Sequence, residues 1–150
     1  MTTDKLERLK GVFLFKFLTE DELDNVASIC KEKRFSAGDV IFSENETSNG
    51  MFLIDSGTVR ITRKVKTETR EVIALYSGDF FGEIALFDRV PRTASAVAVE
   101  ECLLFEIIRD DFGALVSEHP RLGVKVLYKV IQDMSKRIRR MNIENDNLFI

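Results

Sequence analysis

Five of the eight glycines fall between residues 38 and 82, at Gly38, Gly50, Gly57, Gly78 and Gly82. This punctuation constrains the fold more than any other feature of the chain. It separates short segments rich in β-branched and aromatic residues: Val40 to Phe42, Met51 to Ile54, Thr58 to Thr62 and Val72 to Tyr76, with Ala94 to Val99 and Leu103 to Ile107 beyond them. Closely spaced short strands divided by turn signals read as a sandwich or barrel, not as a parallel α/β sheet. From Thr58 to Lys64 the pattern alternates, with Val59, Ile61 and Val65 on one face and Arg60 and Thr62 on the other. SAGDVIF (36–42) and YSGDFFG (76–82) both set Gly-Asp before two apolar residues. In each, glycine permits the turn and aspartate is expected to bond the backbone two residues on. Two related halves of this kind fit an antiparallel jelly roll.

Helices are expected on both sides of the β zone. Thr19-Glu20-Asp21-Glu22 forms a capping box, and Leu23, Val26, Ala27 and Cys30 follow at helical spacing. Asp110 to Ser117 reads as a short helix, His119-Pro120 interrupts it, and a long helix starts near Arg121. A chain of 150 residues builds one core, so a single domain is expected: helices over 1–34, a β-roll over 35–108 and helices over 109–150.

Composition removes several functions. One histidine, His119, and two cysteines, Cys30 and Cys102, make neither a multi-histidine metal site nor a zinc cluster. A metal-dependent enzyme on a jelly roll is therefore not expected, and neither is a metal or other cofactor. No apolar run nears the roughly 20 residues that span a bilayer, and MTTDKLERLK has no signal-peptide core. A cytoplasmic protein with reduced, buried thiols is the expectation. Asn45-Glu46-Thr47 matches a glycosylation acceptor, which such a location leaves unmodified.

Residues 81–96, FGEIALFDRVPRTASA, crowd polar groups into this apolar zone. Gly82 lets backbone approach a ligand, and GEIAL can form one helical turn whose amides face an anion. Glu83 offers acceptors for paired ribose hydroxyls or a cation. Arg92 offers a planar fork that matches a phosphate, and Pro91 stiffens the approach to it. A sugar phosphate needs this combination. The residues alone leave a second reading open, in which Glu83 and Arg92 form a structural salt bridge.

The segment resembles the phosphate-binding cassette of the cyclic-nucleotide-binding domain family, with FGE, the pair Ile84-Ala85 and Arg92-Thr93-Ala94 all present over 81–94. The likeness extends along the chain. LFKFLTEDEL (14–23) is similar to the family's opening helices, AGDVIF to its first strands and SGDFFGE to the strand entering the cassette. The resemblance implies a double-stranded β-helix holding a cyclic nucleotide, with Glu83 on the ribose 2′-hydroxyl and Arg92 on the cyclic phosphate. Backbone of Gly82, Ile84, Ala85 and Ala94 would complete the cradle, with Thr93 near phosphate or base. Ile61, Val72 and Ile73 are candidates to wall the base and sugar, with core packing the stronger reading for Ile73. A hydroxyl after the arginine is found in cGMP-selective kinase domains and in the cAMP-using catabolite activators; the expectation is cAMP ahead of cGMP.

The last helix is the expected output. Ile131, Ile138 and Asn145 fall at a and Leu127, Met134, Met141 and Leu148 at d of a heptad, the pattern of a parallel two-stranded coiled coil. A homodimer through Leu127–Leu148 is expected, with the first helical turns packed on the chain's own β-roll. The catabolite activators are similar in dimerising here and closing the helix over the base. That likeness implies that Arg137 reaches Glu83 or the phosphate and that Asn142 faces the base, while Met141 stands where they carry a hydroxyl and caps the base apolarly. Lys136, Arg139 and Arg140 read as a solvated face. With a net charge of −3, no aromatic interleaving and no helix-turn-helix segment before Ile150, DNA binding is not expected. The expected function is a non-enzymatic cyclic-nucleotide sensor passing its signal to an unknown downstream protein. The alternative is an interaction module of the same fold with an empty cassette.

Overall fold

The computed structural model describes residues 3–145, with side chains from 4 to 140. Eight strands form two four-stranded antiparallel sheets. One runs β1 (Lys31–Phe35), β8 (Cys102–Ile108), β3 (Gly50–Ser56), β6 (Phe80–Phe81), and the other β2 (Val40–Phe42), β7 (Ser95–Ala98), β4 (Val59–Val65), β5 (Glu68–Leu75). Helices α1 (Thr3–Lys10) and α2 (Glu20–Ala27) precede the roll, and α3 (Arg109–Glu118) and α4 (Pro120–Asn145) follow it. The fold is mainly β with flanking helices, as the glycine punctuation implies.

Four boundaries differ from expectation. α2 ends at Ala27, so Cys30, expected within it, joins the same core from beyond the helix. β1 begins at Lys31, inside the stretch expected to be helical. KEKRF lacks a strand's apolar face because β1 is an edge, bonded only to β8, where charges are tolerated and deter further pairing. β5 starts four residues before Val72, since the β4–β5 hairpin carries its polar tip into solvent around Lys66 at φ 61°. Pro120 opens α4 instead of preceding it, as proline's missing N–H costs nothing in a first turn. The capping box forms as read: Glu22 N–H donates to Thr19 Oγ1 at 3.2 Å, and Thr19 N–H to Glu22 Oε1 at 2.9 Å.

The repeated Gly-Asp turn forms twice, with the aspartate bonded backwards. Ser36 N–H donates to Asp39 Oδ2 at 2.7 Å and Tyr76 N–H to Asp79 Oδ2 at 2.9 Å, three residues upstream instead of two on. Glycine takes the left-handed position in both. The same turn occurs a third time without glycine: Ser43 N–H donates to Glu46 Oε2 at 3.0 Å, and Asn45 occupies the left-handed place at φ 71°. Asparagine tolerates that conformation better than most side chains.

Two apolar layers share one sheet. Phe52 and Ile54 of β3, with Cys102 and Leu104 of β8, join Phe42, Val59, Leu75 and Phe81 inside the roll. Met51, Leu53, Phe105 and Ile107 of the same strands face Leu23 and Val26 of α2, and Leu122, Val126 and Val130 of α4. β3 is buried on both faces, which accounts for its unbroken apolar run. Burial pushes the Cys30 thiol up to about 12, so it stays protonated.

Candidate functional site

One cavity of about 470 Å³ opens between the second sheet, the 81–94 segment and α4. That size suits a small organic ligand. Ten residues singled out in the sequence line it: Gly82, Glu83, Ile84, Ala85, Arg92, Thr93, Ala94, Ile61, Val72 and Arg137. Ile73, assigned to the core, lines it as well. A bulge brings Val72 and Ile73 there together, because Ile61 pairs with Ile73 while Thr62 pairs with Glu71, leaving Val72 as the extra residue. The side chains of Met141 and Asn142, and the seam positions Asn145 and Leu148, lie outside what is described.

Backbone geometry sets the floor of the cavity. Gly82, left-handed at φ 75°, starts a single 3-10 turn over Glu83–Leu86. A Cβ at Gly82 would sit 2.7 Å from Arg92 Nη1, so only glycine leaves the arginine its place. Within the turn, Ala85 N–H donates to the Gly82 carbonyl at 3.2 Å, so it is not one of the free amides expected here.

Arg92 is clamped twice. Its peptide N–H donates to the Glu46 carbonyl and its carbonyl accepts from Asn45 N–H, both at 2.8 Å, so the third turn fixes its backbone. Its guanidinium donates to the Gly50 carbonyl at 2.7 Å and to the Gly82 carbonyl at 3.3 Å, and lies 4.1 Å from the centroid of the Phe42 ring. The residue is only 8% exposed, and its Nε–H has no partner. Burial shifts Arg92 below the usual arginine range, against the pull of Glu46, Glu106 and Glu83. A buried guanidinium with an unmade hydrogen bond and no bonded carboxylate is a place where an anion is stabilised.

Glu83 is 7% exposed, and its partner is Arg137 of α4, whose Nη1 donates to Oε1 at 3.0 Å. Among the described residues Glu83 and Arg92 form no ion pair, so the structural salt bridge left open by the sequence is not made. Arg137 Nε also lies 2.7 Å from Asp133 Oδ2, an ionic contact not aligned as a hydrogen bond.

Sequence reasoning missed several contributors. Arg109 donates to the carbonyls of Ala85 at 2.7 Å, Asp88 at 3.3 Å and Ser48 at 3.1 Å, tying the 3-10 turn to the 43–49 loop at the start of α3. Phe42 supplies the ring under Arg92, and Gly50 the carbonyl; no local pattern marks either, since both act from distant strands. Asn45 and Glu46 read as a modification acceptor and serve as the backbone clamp. Arg63 and Arg140 line the cavity from exposed positions, Arg140 on the face read as solvated. Among the described residues no group of His, Cys, Asp and Glu is arranged to hold a metal, and no helix is long and apolar enough to cross a membrane.

A buried glutamate on a glycine-started turn and a buried arginine clamped by the 43–46 turn line one cavity of a two-sheet roll, an arrangement suited to a small anionic ligand. The profile of the cyclic nucleotide-binding domain matches residues 32–119, and the chain belongs to that family. It is similar to the cyclic AMP receptor protein of Thermus thermophilus, 32% identical over 93% of this chain and 63% of the relative. It is also similar to the cGMP-dependent protein kinase egl-4 of Caenorhabditis elegans, 33% identical over 73% of this chain and 14% of the kinase. The chain thus spans less than two thirds of the curated relatives it matches. Among solved structures, the Thermus thermophilus catabolite activator protein superposes with a TM-score of 0.80 at 31% identity, over 91% of this chain and 62% of that one. A cyclic nucleotide-binding domain from Methylobacillus flagellatus shares the fold, with a TM-score of 0.84 at 22% identity over 98% of this chain and 83% of that one.

Proposed function

We propose that this chain is a non-enzymatic regulatory module that binds a 3′,5′-cyclic purine nucleotide and signals through α4. The single observation that carries the reading is Arg92, buried, charged and one hydrogen bond short beside Glu83 in a largely apolar cavity. In this reading Arg92 takes the cyclic phosphate, Glu83 the ribose 2′-hydroxyl, and Ile61, Val72 and Ile73 the faces of sugar and base. The relatives' cyclic-nucleotide-binding domain, which this chain shares, supports binding as the function. The relatives' names include both cyclic AMP and cGMP, which supports the purine class. Cyclic AMP, expected from the sequence, is a ligand in this reading. Calorimetric titration of the intact chain with each nucleotide tests it. Saturable heat with one ligand per chain is expected; no heat and no melting shift at millimolar nucleotide overturns it.

A homodimer through α4 belongs to the same proposal. The helix packs Leu122, Val126 and Val130 on the chain's own core, while Val124 (65%), Tyr128, Ile131 (61%), Met134 and Ile138 stand exposed along its other side. Such a stripe is costly in water and is covered by a second copy. Sedimentation should give a dimer, and the double substitution Ile131→Glu/Ile138→Glu a monomer. A monomeric parent chain contradicts this part and leaves the ligand site standing. The downstream partner is a protein that reads the position of α4, in a cytoplasmic setting.

A further inference from the structure

The cavity lining holds four guanidiniums, on Arg63, Arg92, Arg137 and Arg140, against one carboxylate, Glu83. A cyclic mononucleotide brings one negative charge. Arg92 suffices for the phosphate, and Arg137 already holds Glu83. Among the described residues neither Arg63 nor Arg140 has a carboxylate partner. Arg60, three positions before Arg63 on the other face of β4, donates to Glu71 at 2.9 Å, so the strand does neutralise an arginine where no ligand is expected. Arg63 instead stands directly opposite Arg70, a like-charge pairing, and Arg70 turns to Glu68 at 3.7 Å.

Position indicates what Arg63 meets. Phosphate and ribose are anchored at Arg92 and Glu83, so the base must extend along the remaining walls, which are Ile61, Val72 and Ile73. Alternation puts Arg63 on the same face of β4 as Ile61, one step nearer the hairpin, where it stands exposed at the cavity's edge. Its backbone is set by pairing with β5, and a residue on a paired strand is placed more precisely than one on a loop. At that place the fork finds a purine edge. Guanine offers two adjacent acceptors, O6 and N7, which arginine grips bidentately, whereas adenine replaces O6 with an amino donor that faces the guanidinium donor to donor.

We infer that Arg63 reads the purine through O6 and N7, making the chain prefer guanine over adenine cyclic nucleotides, with cAMP the weaker ligand. This rests on the proposed cyclic-nucleotide site. Calorimetric competition on the full chain with cGMP, cIMP and cAMP tests it, because inosine keeps O6 and N7 and lacks the 2-amino group. Expected are cGMP and cIMP within about twofold of each other and each about tenfold tighter than cAMP, the low end for one bidentate base contact. Arg63→Ala and Arg63→Lys, the latter keeping charge without the fork, should bring cGMP and cIMP to the level of cAMP and leave cAMP within about twofold. An unchanged melting temperature verifies that the variants fold.

Equal affinity for cAMP and cGMP overturns the inference alone, as does a preference that survives both substitutions. Tight cGMP with weak cIMP assigns the reading to the 2-amino group, and so to a neighbour such as Thr93, and overturns it too. A cyclic dinucleotide binding tighter than cGMP shows that the spare arginines take a second phosphate, which equally overturns it. Binding of none of these ligands overturns the cyclic-nucleotide reading as well.

Discussion

The 82–94 segment and helix α4 face each other across one cavity and are held in opposite ways. The segment is fixed largely through its own backbone: a left-handed glycine, a 3-10 turn, two peptide hydrogen bonds on Arg92 and two of its carbonyls held by the Arg109 guanidinium. Beside the cavity, α4 is held by side chains, chiefly Arg137 on Glu83 and on the Phe80 carbonyl at 3.4 Å. Backbone restraints fix a site in one geometry, while a few long side chains are released at little cost. On the proposed function, the difference separates a rigid reader from a movable responder. In the proposed reading a ligand moves the responder only through different affinity for its positions, and Glu83 would supply that link, with the ribose hydroxyls competing with Arg137 for its carboxylate.

Removing the reader's anchor should have the largest effect. Arg92→Ala is expected to lower cyclic-nucleotide affinity at least about 100-fold, ~2.8 kcal/mol, in calorimetry, with far-UV circular dichroism unchanged. Cutting the responder's tether comes next. Arg137→Ala leaves Glu83 buried without its partner and should cost about 1–3 kcal/mol in urea denaturation, with faster hydrogen exchange confined to the outer part of α4. If exchange rises equally in the 82–94 segment, the two regions are one unit and the comparison fails. The smallest effect lies where α4 meets α2. Lys125 Nζ donates to Glu22 Oε1 at 2.5 Å, and this bond, with the Thr19 backbone, holds the Glu22 carboxyl below its ordinary range. A lowered folded-state pKa stabilises above the usual carboxylate range, and the contribution is lost as pH falls through the folded value. Glu22→Gln should therefore cost about 0.5 kcal/mol at neutral pH and nothing in strong acid, as thermal melts at both pH values would report.

What the sequence revealed depended on whether the cause was local. The capping box, the two Gly-Asp turns and the Gly82-to-Ala94 segment are local, and each could be read from a few consecutive residues. β1 could not, because KEKRF becomes a strand only through the edge of β8. Phe42, Gly50, Asn45 and Glu46 were equally hidden, since each meets Arg92 across the roll from positions about 40 residues or more away. Helical periodicity located the exposed stripe of α4 and gave Arg140 to solvent, where it does stand exposed, but could not show that it also borders a cavity. Val72 and Ile73, adjacent in the sequence, reach one cavity through a bulge that no local pattern announced.

The central claim is that Arg92 and Glu83 grip one nucleotide at its phosphate and ribose. A crystal structure of the intact chain grown with cGMP tests it most directly. Phosphate oxygens are expected within hydrogen-bond distance of the Arg92 guanidinium, including the Nε–H now without a partner, and the ribose 2′-hydroxyl on Glu83. A nucleotide seated elsewhere, with Arg92 still donating only to the Gly50 and Gly82 carbonyls, would contradict it.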